Sequence, residues 1–161
     1  MAVDMFLIID TVKGETTDKE FAKKTAIDVL SWSWGVSNSG TTHMGGGGGS
    51  GKANFQDLSI TKYVDSSSHA LLMGSATGEH FKTASLHVRK AGKTQLEYIT
   101  LEMKEVLVTS VTTGGSGGED RLTETISLNF GEVKFSYKPQ KTDGTLGDAL
   151  PFTYDIAGNS V

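Results

Sequence analysis

Five consecutive glycines, Gly45 to Gly49, place the strongest single constraint on how this 161-residue chain can fold. Glycine loses more conformational freedom on folding than any other residue, so an ordered run of this kind is costly. Three explanations are open: the run cradles an anion, lets another chain approach its backbone, or is a loop without a task. It follows the alternating segment Leu30 to Trp34 (Leu-Ser-Trp-Ser-Trp), which predicts a strand leading into that loop.

The segment from Gly46 to Lys52 matches most of the P-loop pattern GxxxxGK[ST], which makes nucleotide binding one alternative. The next residue is Ala53, so the hydroxyl that would bind Mg²⁺ is missing. Residues 54–60 alternate like a strand, and no helix N-terminus is predicted to direct its amides at a phosphate. The pattern therefore favours a loop that contacts another subunit over a nucleotide site.

Composition excludes several functional classes. The chain has no cysteine, so it has neither disulfides nor thiolate zinc sites, and its four histidines lack a metal-ligand spacing. A net charge of −4 argues against a nucleic-acid-binding surface. No apolar run approaches the roughly 18 residues of a membrane span, and the apolar start from Met5 to Ile9 has no basic leader. We expect a cytoplasmically made protein without a cofactor.

Period-two alternation over most of the chain predicts a mainly β fold. One short helix is predicted from Ser66 to Met73, with a serine hydroxyl as its N-cap and Gly78 just past its end. The absence of a βα rhythm indicates an antiparallel barrel or sandwich, and residues 1–161 are expected to form a single domain. Strands are predicted over residues 3–9, 27–36, 54–63, 81–90, 95–112, 121–137 and 150–156.

Alternation within these strands also assigns side chains to faces. Leu58 and Ile60 are expected to share one face, and Arg89 is expected to point outward. In the strand 121–137, one face is expected to carry Ile126 and Leu128 and the other Thr125 and Ser127. The charged and glycine-containing segment 13–24 is expected to be an exposed loop.

The two faces of individual strands are predicted to carry different kinds of side chain. A change of apolar phase at Gly131 is typical of a β-bulge. A solitary soluble barrel usually presents lysine and glutamate to solvent, whereas several faces here are small, polar and uncharged, which indicates an assembly with an inert surface. In the tryptophan strand the large side chains are expected to point into the core and the small ones away: Leu30, Trp32 and Trp34 inward, Ser31, Ser33 and Gly35 outward.

No motif requires catalysis. His43 has no recognisable nucleophile, and the carboxylates Glu97, Glu102 and Glu105 are expected to be solvated or interfacial. The connection from residue 113 to 120 is predicted to be a hairpin turn. An anion-binding nest there is one alternative. The interpretation favoured is a tight turn in which Glu119 or Asp120 pairs with Arg121 or with a neighbouring subunit.

Several long motifs of the chain are specific enough to be compared with known families. They include Leu-Ser-Trp-Ser-Trp-Gly, the His-Met-Gly₅-Ser-Gly-Lys loop and Val-Arg-Lys-Ala-Gly. With these motifs the chain resembles Hcp, the haemolysin-coregulated protein family that forms the tube of the bacterial type VI secretion system. The similarity covers most of residues 1–138, and residues 139–161 are less family-like. The matching segments are residues 1–7, 27–35, 43–52, 56–59, 88–92, 106–111 and 113–124.

The resemblance implies a two-sheet β-barrel with a flanking helix that assembles into hexameric rings. The rings stack into a tube inside a contractile sheath, topped by a VgrG-type spike. Small effector proteins travel in the lumen, where the tube protein is also expected to act as their chaperone. Export proceeds without a cleaved signal peptide. The phage tail-tube subunit is the structural alternative.

The resemblance also assigns sites. Ser33, with Ser31 beside it, falls at a lumen position that contacts cargo. The glycine loop becomes a contact between stacked rings or between subunits, and its residues are His43, Met44, Gly45, Gly46, Gly47, Gly48, Gly49, Ser50, Gly51 and Lys52.

Overall fold

A computed structural model describes residues 3–40 and 52–161. These residues form nine strands, an α-helix and a short 3₁₀ helix at Phe21–Lys24. The helix, α1, is Ser68–Thr77. The strands are β1 Val3–Ile9, β2 Ile27–Ser33, β3 Val36–Asn38, β4 Ala53–Phe55, β5 Leu58–Tyr63, β6 His80–Lys90, β7 Glu97–Thr113, β8 Thr123–Tyr137 and β9 Leu150–Asp155.

Six strands close into an antiparallel barrel. Their order is β5-β2-β1-β6-β7-β8, and β5 pairs with β8 to complete the circle. The long strand β8 pairs with β5 through its first half and with β9 through its second half. Strands β3 and β4 form a separate two-stranded sheet. The predicted fold class, an antiparallel two-sheet β-barrel with one short helix, is confirmed.

A bulge in β2 changes which of its side chains face the core. Val29 pairs with Lys62, but the next pair along joins Ser31 to Thr61, so Leu30 is an extra residue in β2. Leu30 is 38% exposed, and the prediction that it faces the core is wrong. Beyond the bulge the expected orientation holds, because Trp32 and Trp34 pack against the core.

The phase change at Gly131 is real, but the predicted bulge there is wrong. The β7–β8 register is unchanged across it, and buried side chains flank it on both strands. Glu105, beside Gly131, has a φ of +54°, so the two strands change phase together in a paired kink. The bulge in this pair lies instead between Val108 and Ser110 of β7.

The helix ends as predicted but begins differently. Its C-cap is Gly78, whose φ of +71° is a left-handed conformation suited to glycine. At the other end the predicted serine cap is wrong, because Ser67 makes no side-chain capping bond. The Asp65 carboxylate accepts a 2.9 Å bond from the Ser67 N–H instead. Leu71, fully buried, fixes α1 to the barrel.

The segment 13–24, expected to be an exposed loop, covers a second small core. Phe21 is 1% exposed, and its ring stacks on Phe6 of β1 with centroids 4.2 Å apart. The guanidinium of Arg89, on the outer side of β6, lies over both rings. Arg89 does face outward, as predicted, yet it is only 2% exposed because this segment covers it.

Candidate assembly face

Four neighbouring strands present a continuous face of hydroxyl side chains. The strands lie in the order β2, β5, β8, β7, and the hydroxyls occupy directly paired positions in two successive rows. Hydroxyl pairs across neighbouring strands are a stabilising combination in sheets. The first row contains Ser33, Ser59, Ser127 and Ser110, and the second contains Ser31, Thr61, Thr125 and Thr112. We call these eight residues the hydroxyl face.

The other side of the same strands is apolar, which fixes the direction of the hydroxyls. Successive side chains in a strand point to opposite faces. Leu58, Ile60, Ile126 and Leu128 alternate with hydroxyl residues of β5 and β8 and are completely buried. Behind Ser31 and Ser33 the two tryptophans of the chain pack against that core. Each strand is therefore anchored from behind by large apolar groups.

Hydrogen bonds hold part of the hydroxyl face and its margin in place. The hydroxyls of Ser110 and Ser127 bond to each other, and Thr109 Oγ1 lies 2.8 Å from Ser127 Oγ. At the margin, Thr109 donates to Asp57 at 2.7 Å and Asn129 donates to the same carboxylate at 2.9 Å. The two rows contain no charged side chain, and Asp57 is engaged by these neighbours.

Both outer edges of the hydroxyl face are open. Among the described residues, β1 pairs with β2 only at Ile27 and Asp28, so the other edge of residues 29–33 has no strand partner. On the opposite side, β6 pairs with β7 only as far as Leu107, so residues 108–113 have no strand partner on that side within residues 3–40 and 52–161. Unpaired strand edges readily accept another strand. The face is thus bounded by two edges able to pair.

Most of the predicted contact loop, His43 to Gly51, lies outside the described residues. Its last member, Lys52, is exposed. Residues Ala53–Phe55 form β4, so a strand follows the lysine, as predicted, and the strand–loop–helix context of a P-loop is not present.

The predicted turn residues Glu119, Asp120 and Arg121 lie in the exposed connection between β7 and β8. Within the described part of the chain, no ion pair joins Arg121 to either carboxylate. Its guanidinium instead lies over the ring of Tyr63, 3.7 Å from the ring centroid. The hairpin is confirmed, and its end is attached to β5 by a cation–π contact.

Sequence reasoning identified two members of the hydroxyl face and missed six. Alternation within β8 placed Thr125 and Ser127 on a polar side, but only the strand order shows that they continue the rows begun by Ser31 and Ser33. The bulge in β7 hid Ser110 and Thr112 by blurring the alternation there. A signal was available in the shared spacing of hydroxyls two residues apart in four strands.

The described residues offer no sign of a metal centre or a membrane span. No group of three or more histidine, aspartate or glutamate side chains within residues 3–40 and 52–161 is placed to hold a metal ion. No helix in those ranges is long and apolar enough to cross a membrane.

Comparison with known proteins agrees with the resemblance. The family model described as "Type VI secretion system effector, Hcp" matches residues 6–137. A Pseudomonas aeruginosa relative, "Protein hcp1", is 55% identical over 161 residues, which cover 99% of this chain and 98% of the relative.

Solved structures share the fold. A type six secretion system protein superimposes with a TM-score of 0.91 at 31% identity, covering 99% of both chains. Hcp1 from Salmonella typhimurium gives 0.78 at 31% identity with the same coverage. A type VI secretion system effector from Yersinia pestis gives 0.76 at 32% identity, covering 95% of this chain and 100% of that one. The chain belongs to the Hcp family of the type VI secretion system.

Proposed function

We propose that this protein is the tube subunit of a type VI secretion system and that its hydroxyl face lines the lumen. The observation that carries the proposal is the uncharged hydroxyl face, continuous over four strands and open at both edges. Small uncharged polar groups keep a wall wet without offering greasy patches or strong charges to passing proteins. Such a wall suits transport of varied effector proteins.

The strand directions favour closure into a ring. The four strands are successively antiparallel, so the two outer edges of the face run in opposite directions. The β7 edge of one copy and the β2 edge of the next can therefore pair as a regular antiparallel ladder. Head-to-tail contacts of this kind generate rings when the rotation closes. The resemblance to Hcp supports six copies.

The dimensions of such a ring are suitable for folded cargo. Six copies with four strands each give 24 strands around the channel, and strands lie about 4.8 Å apart. The circumference is then roughly 115 Å and the backbone-to-backbone diameter roughly 37 Å, before strand tilt widens it. Small effectors fit within this width. Stacked rings, a sheath around them, a spike at the tip and export without a cleaved signal complete the proposal.

Cysteine pairs test the ring directly, since the chain has no cysteine of its own. Ser33→Cys combined with Ser110→Cys places thiols on the two open edges. Inside one copy these positions are three strand spacings apart, roughly 14 Å, too far for a disulfide. We expect oxidation to link copies into a ladder ending at the ring size on a non-reducing gel.

The paired control combines Ser33→Cys with Thr153→Cys, an exposed position on β9. We expect no ladder from that protein. Because the register between copies is not fixed by one chain, Ser31→Cys with Thr112→Cys samples the second row. Oxidised protein that remains monomeric for both edge pairs would contradict the ring.

A bulkier side chain at a lumen-facing position tests cargo binding. Ser33→Gln adds bulk at the exposed end of β2 without a charge, so we expect assembly to persist and the amount of retained effector to fall. The control is Ser37→Gln on β3, which is exposed but not part of the hydroxyl face. Co-purified effector, measured by mass spectrometry, is the readout. Equal retention in both variants would remove Ser33 from the cargo surface.

A further inference from the structure

Three polar side chains on the outer surface of the barrel form a chain of hydrogen bonds that the proposed tube does not require. They are Ser85 and His87 of β6 and Glu97 of β7. His87 Nε2 lies 2.9 Å from Ser85 Oγ, and His87 Nδ1 contacts Glu97 Oε1. The sequence prediction placed Glu97 among solvated or interfacial carboxylates, whereas the structure pairs it with this histidine.

The ionisation state of Glu97 determines which nitrogen of His87 carries the hydrogen. Burial raises the pKa of this carboxyl, but the hydrogen bond from His87 and its charge when protonated, the hydrogen bond from Thr100 and the charge of Lys24 together outweigh burial and lower the pKa below its ordinary value. An ionised carboxylate only accepts hydrogen bonds, so His87 Nδ1 carries a hydrogen. In the neutral ring Nε2 is then the acceptor, and it faces the Ser85 hydroxyl.

The geometry points to Ser85 as a nucleophilic serine that is acylated or phosphonylated by activated donors, with His87 as its base and Glu97 as the residue that positions the histidine. The arrangement has the connectivity of nucleophile, base and orienting carboxylate that activates serine in hydrolases. Ser85 is half-buried, and 15% of the His87 side chain is exposed, so a small reagent can reach them.

The reaction balances with an ester as the donor. Ser85 Oγ attacks the carbonyl carbon as His87 Nε2 takes the hydroxyl proton. The new O–C bond forms, the bond to the leaving alkoxide or phenoxide breaks, and the leaving group departs with the proton from His87. The serine ester remains until water removes the acyl group by the same route.

The surroundings limit the donors that Ser85 accepts. Backbone pairing on both sides of β6 joins Ser85 to Ile8 and to Glu102, so no pair of free N–H groups is available there as an oxyanion hole. Modification by reactive donors is therefore favoured over turnover of amides. The Glu102 carboxylate next to the site disfavours anionic donors, and Ile8 offers an apolar contact to a short acyl chain.

Labelling with a fluorophosphonate probe tests the proposal, because such probes report activated serines. Assembled wild-type protein is incubated with the probe, and the adduct is located by peptide mass spectrometry. We expect Ser85 to be labelled at least about tenfold faster than Ser59, another half-buried strand serine outside this cluster. Ser85→Ala should remove the adduct, and Ser136→Ala, at a half-buried serine of β8 outside the hydroxyl face, should leave it unchanged.

Two further variants separate activation from simple exposure. His87→Asn should slow labelling about 100-fold and Glu97→Gln about tenfold or more, with unfolding temperatures checked for each. If His87→Asn does not fold, Glu97→Gln and the Ser85-to-Ser59 ratio in the wild type decide. Labelling no faster at Ser85 than at Ser59, or unaffected by the folded variants, would overturn the assignment. Ring formation is measured separately by the cysteine pairs.

Discussion

Among the residues that the structure describes, two cations are buried, on opposite sides of the barrel wall, and they are held in different ways. Lys62 of β5 points into the barrel and is completely buried, whereas Arg89 of β6 lies outside the barrel and is 2% exposed. Burying a charge is costly unless its partners are close and complete. Neither site meets that requirement fully, because Glu124 Oε2 beside Lys62 and Arg89 Nε have no hydrogen-bond partner among the described residues. The two sites also combine protein contacts and solvent in different proportions.

Lys62 is surrounded by groups that are themselves buried. It lies directly opposite Glu124 in the β5–β8 ladder, and its Nζ contacts Glu124 Oε1 and lies 3.0 Å from Asp65 Oδ1. It also donates to the Tyr63 carbonyl at 2.8 Å. Ser68, in the first turn of α1, donates to Glu124 at 2.6 Å. This cluster therefore joins the helix start to two barrel strands.

Arg89 is held between aromatic rings and partly solvated carboxylates. Its guanidinium is 4.9 Å from the Phe6 centroid and 5.2 Å from that of Phe21. It forms an ion pair with Asp18, whose side chain is 20% exposed. It also lies 3.4 Å from Glu20, whose side chain is 62% exposed. Water already reaches these partners. Removal of Lys62 should therefore destabilise the protein more than removal of Arg89, because the interior carboxylates cannot become hydrated and the outer ones can.

The largest effect is expected from breaking the interior site. Lys62→Met removes the ammonium and leaves Glu124 and Asp65 buried without it, which should lower the free energy of unfolding by about 3–5 kcal/mol. Urea unfolding at neutral pH measures the change. Lys62→Met with Glu124→Leu should recover part of the loss, because the apolar pair needs no counter-charge and Asp65, although it loses the ammonium, keeps two hydrogen bonds from Ser67. A double variant as unstable as the single one would show that packing, not charge, is decisive.

A smaller effect is expected outside the barrel. Arg89→Met loses the contacts with two rings and the ion pairs, but Asp18 and Glu20 can hydrate, so we expect a loss of about 1–3 kcal/mol. Arg89→Lys should recover only part of it, because lysine lacks the planar group that stacks between the rings. A loss for Arg89→Met equal to that for Lys62→Met would erase the distinction between the two sites.

The sequence contains a signal for the interior site, although apolar alternation alone did not identify it. Leu58 and Ile60 were correctly predicted to share one face, which the structure shows to be buried, and period two puts Lys62 on the same face. In β8, Ile126 and Leu128 were predicted in the same way, with Glu124 on their side. A lysine and a glutamate continuing two apolar stripes is a recognisable signal. Their pairing, however, depends on the register between strands distant in sequence.

The outer site was less predictable. The alternation of β6 indicated that Arg89 faces away from the barrel, and it does. Its burial comes from segment 13–24, whose charged and glycine-containing sequence is typical of an exposed loop, and only Phe21 hints at a second core. For the hydroxyl face, likewise, the strands were predictable from periodicity, whereas the order that brings four of them together depends on long-range contacts.

The smallest expected effect is the contribution of Asp18 to the pH dependence of the free energy of unfolding. It tests how the Arg89 site differs from the Lys62 site. Burial raises the pKa of Asp18, but the backbone N–H of Phe21, the Arg89 side chain and the N–H of Glu20 together lower it below the ordinary 3.8. A carboxyl with a lowered pKa stabilises the folded state above the unfolded pKa. That stability is lost as pH falls through the folded value.

We therefore expect Asp18→Asn to flatten the decline in the free energy of unfolding between about pH 5 and pH 3, measured by urea titration. Other carboxyls, including Glu97, contribute equally to both proteins and cancel in the difference. In the Arg89→Met background the flattening should shrink without vanishing, because the N–H groups of Glu20 and Phe21 still donate to Asp18 at 3.0 Å. If Asp18→Asn left the profile unchanged, the pKa of Asp18 would not be lowered in the folded state, and its ion pair with Arg89 would add nothing to stability. If the flattening vanished with Arg89, the guanidinium alone would set the pKa of Asp18, and the outer site would resemble the interior one in depending on a single cation.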